Sequence, residues 1–349
     1  MTSIQQNPPP KIPSDLLIGM ATVLAVLGIP TMIRYFLDQQ QYESGLQSYK
    51  LADCGVAISQ FNKVINAFRL ADLGNYVPQA IQKKAECEFF DDAVKDQKNG
   101  AFASALVSYA GLAVYNNSPL LKPARASLIE LFQKAKTKSL TTIDVCDRIG
   151  ILAENNLLPQ SDANLPLLYS ECGNLYESDK IFTKASSIYE QFLKRYPDHT
   201  LSTDIKRSLA RSNIADIKSK GVRQITPLGR VGNTTDGSTV IEIQNASPSK
   251  MLITFSGKTP RFEEIESCKD CVVHTNNSPK VCPENGNVGR YTFEPSQYEV
   301  AIRMKSDDGS YVEPWAGNWN LESGAKYKIC FFITQDPINE MNSKKGDFP

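Results

Sequence analysis

Histidine is scarce in this sequence, because only His199 and His274 occur among its 349 residues. This scarcity excludes a histidine-rich metal centre, and a nucleophilic site that needs a histidine base could use only one of the two. Net charge is also absent, because 38 basic residues balance 38 acidic ones and no basic block stands out. We therefore expect no binding to nucleic acid through a basic surface.

The short motifs of familiar catalytic sites are missing as well. The sequence has no phosphate-binding glycine loop and no G-x-S-x-G nucleophile motif. Its acidic residues are scattered, and no pair stands out as a general acid and base. These absences predict a protein that is not an enzyme and that needs no cofactor.

One long apolar run covers residues 16–37, and Arg34 near its end is its only charged residue. A helix rises about 1.5 Å per residue, so this run could span the ~30 Å core of a bilayer. We predict a single transmembrane helix at residues 16–37, after a disordered tail at residues 1–15. The alternative is a cleaved signal peptide, although the run is long for one and no small-residue cleavage site follows it.

The eight cysteines divide evenly between the two halves of the chain. An even number in each half suits disulfides, which persist in oxidising compartments. We therefore predict a single-pass membrane protein whose bulk is extracytoplasmic and whose partners are other membrane or envelope proteins. The cysteines are Cys54, Cys87, Cys146 and Cys172 in the first half, and Cys268, Cys271, Cys282 and Cys330 in the second.

Residues 42–221 have the periodicity of helices, and three segments place an aromatic residue four positions after an alanine. Both residues then lie on one helix face, where the small one lets a neighbouring helix approach. We predict that each segment is the first helix of a hairpin, with a weaker copy near residues 145–149 and second helices at about 77–98, 120–135, 163–177 and 200–218. The pairs are Ala57 with Phe61, Ala105 with Tyr109, and Ala185 with Tyr189.

Two of these segments, residues 100–120 and 180–201, resemble the first helix of a tetratricopeptide repeat and its closing turn. In the second, the family's positions are occupied by Ala185, Tyr189, Tyr196 and Pro197. Over residues 42–220 the resemblance implies an all-α solenoid of stacked hairpins with a concave partner-binding surface, and no catalysis. The predicted period of about 40 residues departs from the family's usual 34. The alternative is an irregular helical bundle.

The helical cysteines occupy related positions in two of the predicted hairpins. Facing positions on packed antiparallel helices come close enough for a disulfide. We predict the bonds Cys54–Cys87 and Cys146–Cys172, each of which would lock one hairpin. The alternative is four free, buried thiols that serve as small apolar side chains.

After Gly221 the helical periodicity stops, and short β-rich runs separated by turns follow. At 298–304, apolar residues alternate with more polar ones, as in a half-buried antiparallel strand. We predict an all-β antiparallel sandwich of immunoglobulin-like type at residues 222–336 and a flexible tail at 337–349, with a small barrel as the alternative. The other predicted strands are at 240–243, 251–255, 261–265, 270–275, 290–293 and 326–334.

Four cysteines in this second half admit three interpretations. We predict two disulfides among Cys268, Cys271, Cys282 and Cys330. A structural zinc site is one alternative, although Cys282 and Cys330 are too far apart in the sequence to form the second half of such a site. A thiol-redox pair of Cys268 and Cys271 is the other, although such pairs usually lie at a helix N-terminus.

Trp315 and Trp319 form a second candidate site, because an aromatic pair on a sandwich loop could stack on a sugar. The alternative is that both plug an edge of the core. Together these features predict a membrane-anchored, extracytoplasmic, non-catalytic protein-binding scaffold or assembly factor. The alternatives are a carbohydrate- or cell-wall-binding protein and a thiol-redox protein.

Overall fold

The computed structural model describes residues 28–69, 71–154, 157–158, 163–275, 281–306 and 312–335. The chain divides into two compact units, with the boundary between Leu165 and Pro166. The predicted domain boundary at residues 221 and 222 lies much later, because the last helices belong to the unit that contains the sheets. The helices of the first unit are α1 Ile29–Lys50, α2 Cys54–Ile65, α3 Tyr76–Lys98, α4 Phe102–Ala113, α5 Leu121–Lys134, α6 Thr137–Leu140, α7 Ile143–Cys146 and α8 Ile149–Glu154.

The second unit contains three long helices followed by eleven strands in the described residues. Its helices are α9 Asn164–Ser178, which begins at the boundary, α10 Phe182–Arg195 and α11 Ser202–Ser219. Its strands are β1 Arg223–Gln224, β2 Gly229–Asn233, β3 Thr239–Asn245, β4 Lys250–Ser256, β5 Arg261–Ile265, β6 His274–Thr275, β7 Asn287–Phe293, β8 Ser296–Lys305, β9 Trp315–Leu321, β10 Ala325–Phe331 and β11 Thr334–Gln335.

The loops α1–α2, α3–α4 and α9–α10 share one three-residue geometry. The middle residue has a positive φ in each: 60° at Ala52, 77° at Gly100 and 61° at Lys180. The following N–H donates to the carbonyl five residues earlier, at 2.8–2.9 Å. This is the Schellman ending of a helix, which satisfies carbonyls that the helix leaves unpaired. The three helix pairs are therefore hairpins of one local design.

The shared loop gives a stability prediction. A side chain at positive φ costs roughly 1–2 kcal/mol, whereas glycine adopts this conformation freely. After the entropy that glycine adds to the unfolded chain, Lys180→Gly is expected to raise the free energy of unfolding by about 0.5 kcal/mol. Gly100→Ala, at the matching position, is expected to lower it by about 1 kcal/mol. Urea denaturation of each variant measures both changes, and the same sign for both would contradict the shared geometry.

The alanine–aromatic pairs lie on the second helix of each hairpin, so their predicted assignment to first helices is wrong. In two hairpins the aromatic ring covers a glycine of the first helix. A Cβ added at Gly45 would lie 2.7 Å from the Phe61 ring, and one at Gly173 would lie 2.1 Å from the Tyr189 ring. Each glycine lies twelve residues before the alanine of its hairpin. In the third hairpin, α3–α4, the same position is occupied by buried Ala93. The helix expected near residues 145–149 is also divided, into α7 and α8.

Successive hairpins of the first unit stack through α1 and α3. The Tyr42 hydroxyl donates to Gln79 Oε1 at 3.1 Å, and the Tyr49 hydroxyl donates to Glu86. Both helices advance by seven residues between these contacts, so α1 and α3 run parallel. The long α1 is therefore part of the helical stack.

The predicted transmembrane helix is contradicted by the structure. Within the described residues, no helix combines the length and the apolar character needed to cross a membrane. Residues 16–27 lie outside the described residues, and residues 29–37 begin α1, whose later turns carry many polar side chains. The prediction of a single-pass membrane protein with an extracytoplasmic bulk is corrected accordingly.

The strands form mixed sheets, so the predicted antiparallel sandwich is wrong in its topology. A five-stranded sheet has the order β1-β9-β8-β4-β5, a four-stranded sheet has the order β2-β10-β3-β7, and β11 pairs with β6. The pairs β1–β9, β10–β3 and β11–β6 are parallel. β10 lies between two strands that run in opposite directions, so it can be antiparallel to only one of them.

The inward side chains of the two larger sheets form one apolar core. Tyr298, Val300, Ile302 and Met304 of β8 all belong to it, which confirms the predicted alternation of this strand. On the outer face of the five-stranded sheet, Ile214 and Ile217 of α11 pack against small side chains of β8 and β9. Because α11 covers this face, the sheets share their unit with a helix that the predicted domain beginning at residue 222 would lack.

Candidate functional site

A buried polar cluster lies between α1 and α3. Glu86 is fully buried and accepts hydrogen bonds from Lys83 Nζ at 2.9 Å, from Gln82 Nε2 at 3.3 Å and from the Tyr49 hydroxyl. The same hydroxyl lies 3.1 Å from Ser118 Oγ. Burial, and then the hydrogen bond to Glu86, raise the pKa of Tyr49, so the phenol keeps its proton. These donors satisfy the hydrogen-bonding needs of the Glu86 carboxylate, so the cluster is suited to holding the hairpins together.

Glu86 is not among the residues predicted from the sequence, although the sequence contains a signal for it. Glu86 precedes Phe90 by four residues and Ala93 by seven, and both of these are buried on the same helix. A carboxylate on the apolar face of an amphipathic helix requires buried partners. That pattern predicts a buried ion pair, and Lys83, three residues earlier, provides it.

Cys54 and Cys87 are buried free thiols on α2 and α3, so the predicted bond Cys54–Cys87 is absent from the structure. Their hydrogen bond, followed by burial, raises the pKa of the Cys87 thiol and keeps it protonated. The two side chains face each other as predicted, but they serve as small apolar groups. Cys146 and Cys172 lie in different units and neither is a free thiol, while their pairing stays a prediction.

One side of α1 exposes large apolar side chains. Ile29, Met32, Ile33 and Phe36, here called the α1 stripe, are 50–60% exposed, and their spacing places them on one side of the helix. The opposite side is held by ion pairs. Asp38 pairs with Arg34 and also with Arg69 Nε, at 3.2 Å in the latter case. The α1 stripe is therefore an apolar surface on a helix whose opposite side is paired with Arg69, a residue beyond α2.

Two disulfides occur among the four cysteines of the second unit, and the structure assigns their pairing. Cys268 bonds to Cys271, and Cys282 bonds to Cys330, with Cα–Cα distances of 5.3 and 6.0 Å. In these bonds the sulfurs are not thiolates, so the alternative zinc site at these residues does not fit the structure. The described residues also contain no cluster of three or more histidine, cysteine or acidic side chains arranged to hold a metal ion.

A cleft of about 270 Å³ opens beside the first disulfide. Cys271, which is half-buried, forms part of its wall, whereas Cys268 is only 7% exposed. The ionisable side chains that line the cleft are Asp270, His274 and Glu284. The His274 ring packs edge-on against Phe332, and its backbone N–H donates to the Ile333 carbonyl at 2.9 Å. The cleft therefore lies against Cys271, the more exposed residue of a C-x-x-C disulfide.

The two tryptophans lie on β9 and face the core, so the predicted loop position is wrong. Trp319 is 2% exposed and cannot stack on a sugar. Trp315 is half-buried, with the Phe331 ring centroid at 5.5 Å and the Arg223 guanidinium 5.7 Å from its own centroid. The structure thus places the pair in and beside the core, and it does not favour the carbohydrate-binding alternative.

Comparison with known proteins adds no family to this description. Neither the protein-family models searched nor the curated proteins searched give a match to this chain.

Proposed function

We propose that this protein is a non-catalytic protein-binding scaffold whose partner packs against the α1 stripe. The observation that carries the proposal is the grouping of four large, exposed apolar side chains on one side of a firmly anchored helix. Such a grouping on a polar surface is typical of protein-binding sites. The partner expected here is an amphipathic segment that lays its own apolar face on the stripe.

The hairpins support the same proposal. Their common loop, and a small residue twelve positions before each buried alanine, support a relation to the tetratricopeptide architecture that the sequence resembles. In that architecture, stacked hairpins present extended surfaces to other proteins. The balanced charge of the chain and the apolar character of the stripe favour a protein partner over nucleic acid.

A photo-crosslinking side chain at Phe36 tests this proposal, with one at Leu51 as the matched control. Leu51 is 81% exposed and lies on the loop after α1, outside the α1 stripe. We expect a crosslinked partner polypeptide from position 36 and none from position 51. Binding of the purified partner should then weaken by at least ~10-fold in Ile33→Glu, since a desolvated charge at an interface costs more than 1.4 kcal/mol. Equal crosslinking from both positions, or unchanged affinity in Ile33→Glu, would reject the stripe as the site.

A further inference from the structure

We propose that the Cys268–Cys271 disulfide is an exchange site that oxidises a dithiol of a partner protein, with Cys271 as the sulfur attacked. The second disulfide of this unit, Cys282–Cys330, has a structural role instead. This activity goes beyond scaffold binding and does not depend on the α1 stripe. It rests on the C-x-x-C bond, on the cleft at its side and on the unequal burial of its two sulfurs.

The cleft decides which sulfur reacts. A thiolate that enters it meets Cys271, because Cys271 lines the wall while Cys268 is 7% exposed. Cys271 Sγ lies 3.6 Å from the carbonyl oxygen of Asn285, another residue that lines the cleft. Attack therefore occurs at Cys271, and Cys268 leaves.

The exchange balances without any further reactant. A partner thiolate bonds to Cys271 Sγ, the Cys268–Cys271 bond breaks, and Cys268 departs as a thiolate that takes up a proton. The proton that the partner thiol releases goes to solvent. A second partner thiolate then attacks the mixed disulfide at the partner's sulfur. The partner leaves with a disulfide, having lost two electrons, and this chain keeps two thiols, having gained them.

The Cys282–Cys330 disulfide differs from the exchange site in the length of chain that it closes. Cys268 and Cys271 are three positions apart, whereas Cys282 and Cys330 are separated by 48 and tie the 281–286 segment to β10. Opening the short link frees little chain, so the fold survives reduction. Opening the long one releases a constraint on β10, an inner strand of the four-stranded sheet.

The charges around the cleft indicate which thiols react fastest. Asp270 and Glu284 are carboxylates, and His274 is the only basic side chain among the described residues that line the cleft. A thiol that carries positive charge is therefore favoured over one that carries negative charge, and salt should reduce the difference. A partner whose cysteines are flanked by lysine or arginine fits this cleft.

Two measurements on the full chain test the proposal. In the first, the oxidised protein is treated with cysteamine or with mercaptopropionate, quenched by alkylation and mapped by mass spectrometry. We expect Cys268–Cys271 to open at least ~10-fold faster than Cys282–Cys330, with circular dichroism unchanged. We also expect cysteamine to react several-fold faster than mercaptopropionate at low salt. Opening of Cys282–Cys330 first, or at an equal rate, would overturn the proposal.

The second measurement uses a matched pair of variants. Cys268→Ser leaves a thiol at Cys271, and Cys271→Ser leaves one at Cys268. We expect an aromatic disulfide reagent to form its mixed disulfide at least ~10-fold faster with Cys271, because the other thiol is buried. Equal rates, or faster reaction at Cys268, would show that the cleft does not select the sulfur. If either variant fails to fold, the bond-opening rates of the unmodified chain still decide the proposal.

Discussion

Replacing Glu86 with alanine is expected to lower the free energy of unfolding of the first unit by about 2–4 kcal/mol. The substitution leaves the Tyr49 hydroxyl with one fewer partner in the interior and opens a cavity between α1 and α3. Lys83 moderates the loss, because its side chain is 24% exposed and can turn to water. Glu86→Gln keeps an acceptor of similar size, so its cost should be smaller.

Glu88→Ala is the control on the same helix. Glu88 pairs with Lys84 at 3.3 Å, but its side chain is half exposed, and such pairs contribute only about 0.3–0.5 kcal/mol. Far-UV circular dichroism during urea denaturation follows the helices. Both tryptophans lie in the second unit, so their fluorescence shows in the same experiment whether that unit is unaffected. Similar losses for Glu86→Ala and Glu88→Ala would refute a structural role for the buried carboxylate.

Replacing Trp319 with alanine is expected to destabilise the second unit by about 3–5 kcal/mol, the range typical of buried aromatic side chains. Its indole ring lies 5.9 Å from the Phe255 ring in the shared core of the two sheets. Trp319→Phe should cost much less, since the indole N–H has no hydrogen-bond partner among the described residues and its removal relieves that penalty.

Trp315→Ala tests the difference between the two tryptophans. Trp315 is half-buried, so its loss should cost only about 1–2 kcal/mol. The fluorescence of the remaining tryptophan follows urea unfolding in each variant. A larger loss of stability for Trp315→Ala than for Trp319→Ala would contradict the assignment of Trp319 as the tryptophan buried in the core.

Local patterns in the sequence predicted local structure well. The alternation at 298–304 identified β8 and its inward face, because strand periodicity depends only on neighbouring residues. The alanine–aromatic pairs likewise identified buried helix faces. They did not show which helix of a hairpin comes first, since the same packing occurs from either side. The glycines at 45 and 173, each twelve residues before its alanine, were the missing signal.

Structure that depends on contacts between residues far apart in the sequence was not predicted. β9 contains Gly317, Asn318 and Asn320, which have low strand propensity, and it exists because β8 pairs along its length. The parallel pairing of β10 with β3 has no local signature either. In the second unit, the four cysteines predicted two disulfides, but only the fold brings Cys282 to Cys330 and His274 to the wall of the cleft beside Cys271.

The position of β10 has a consequence for protein synthesis. A ribosome completes β2 and β3 before it makes β10, the strand that lies between them. Until Phe331 emerges, β3 carries an unpaired edge that can recruit other strands. At translation rates of ~5–20 residues per second, the stretch from Asn245 to Phe331 takes on the order of 4–17 s. Throughout that interval the open edge of β3 can pair with a strand of another chain as well as with β10.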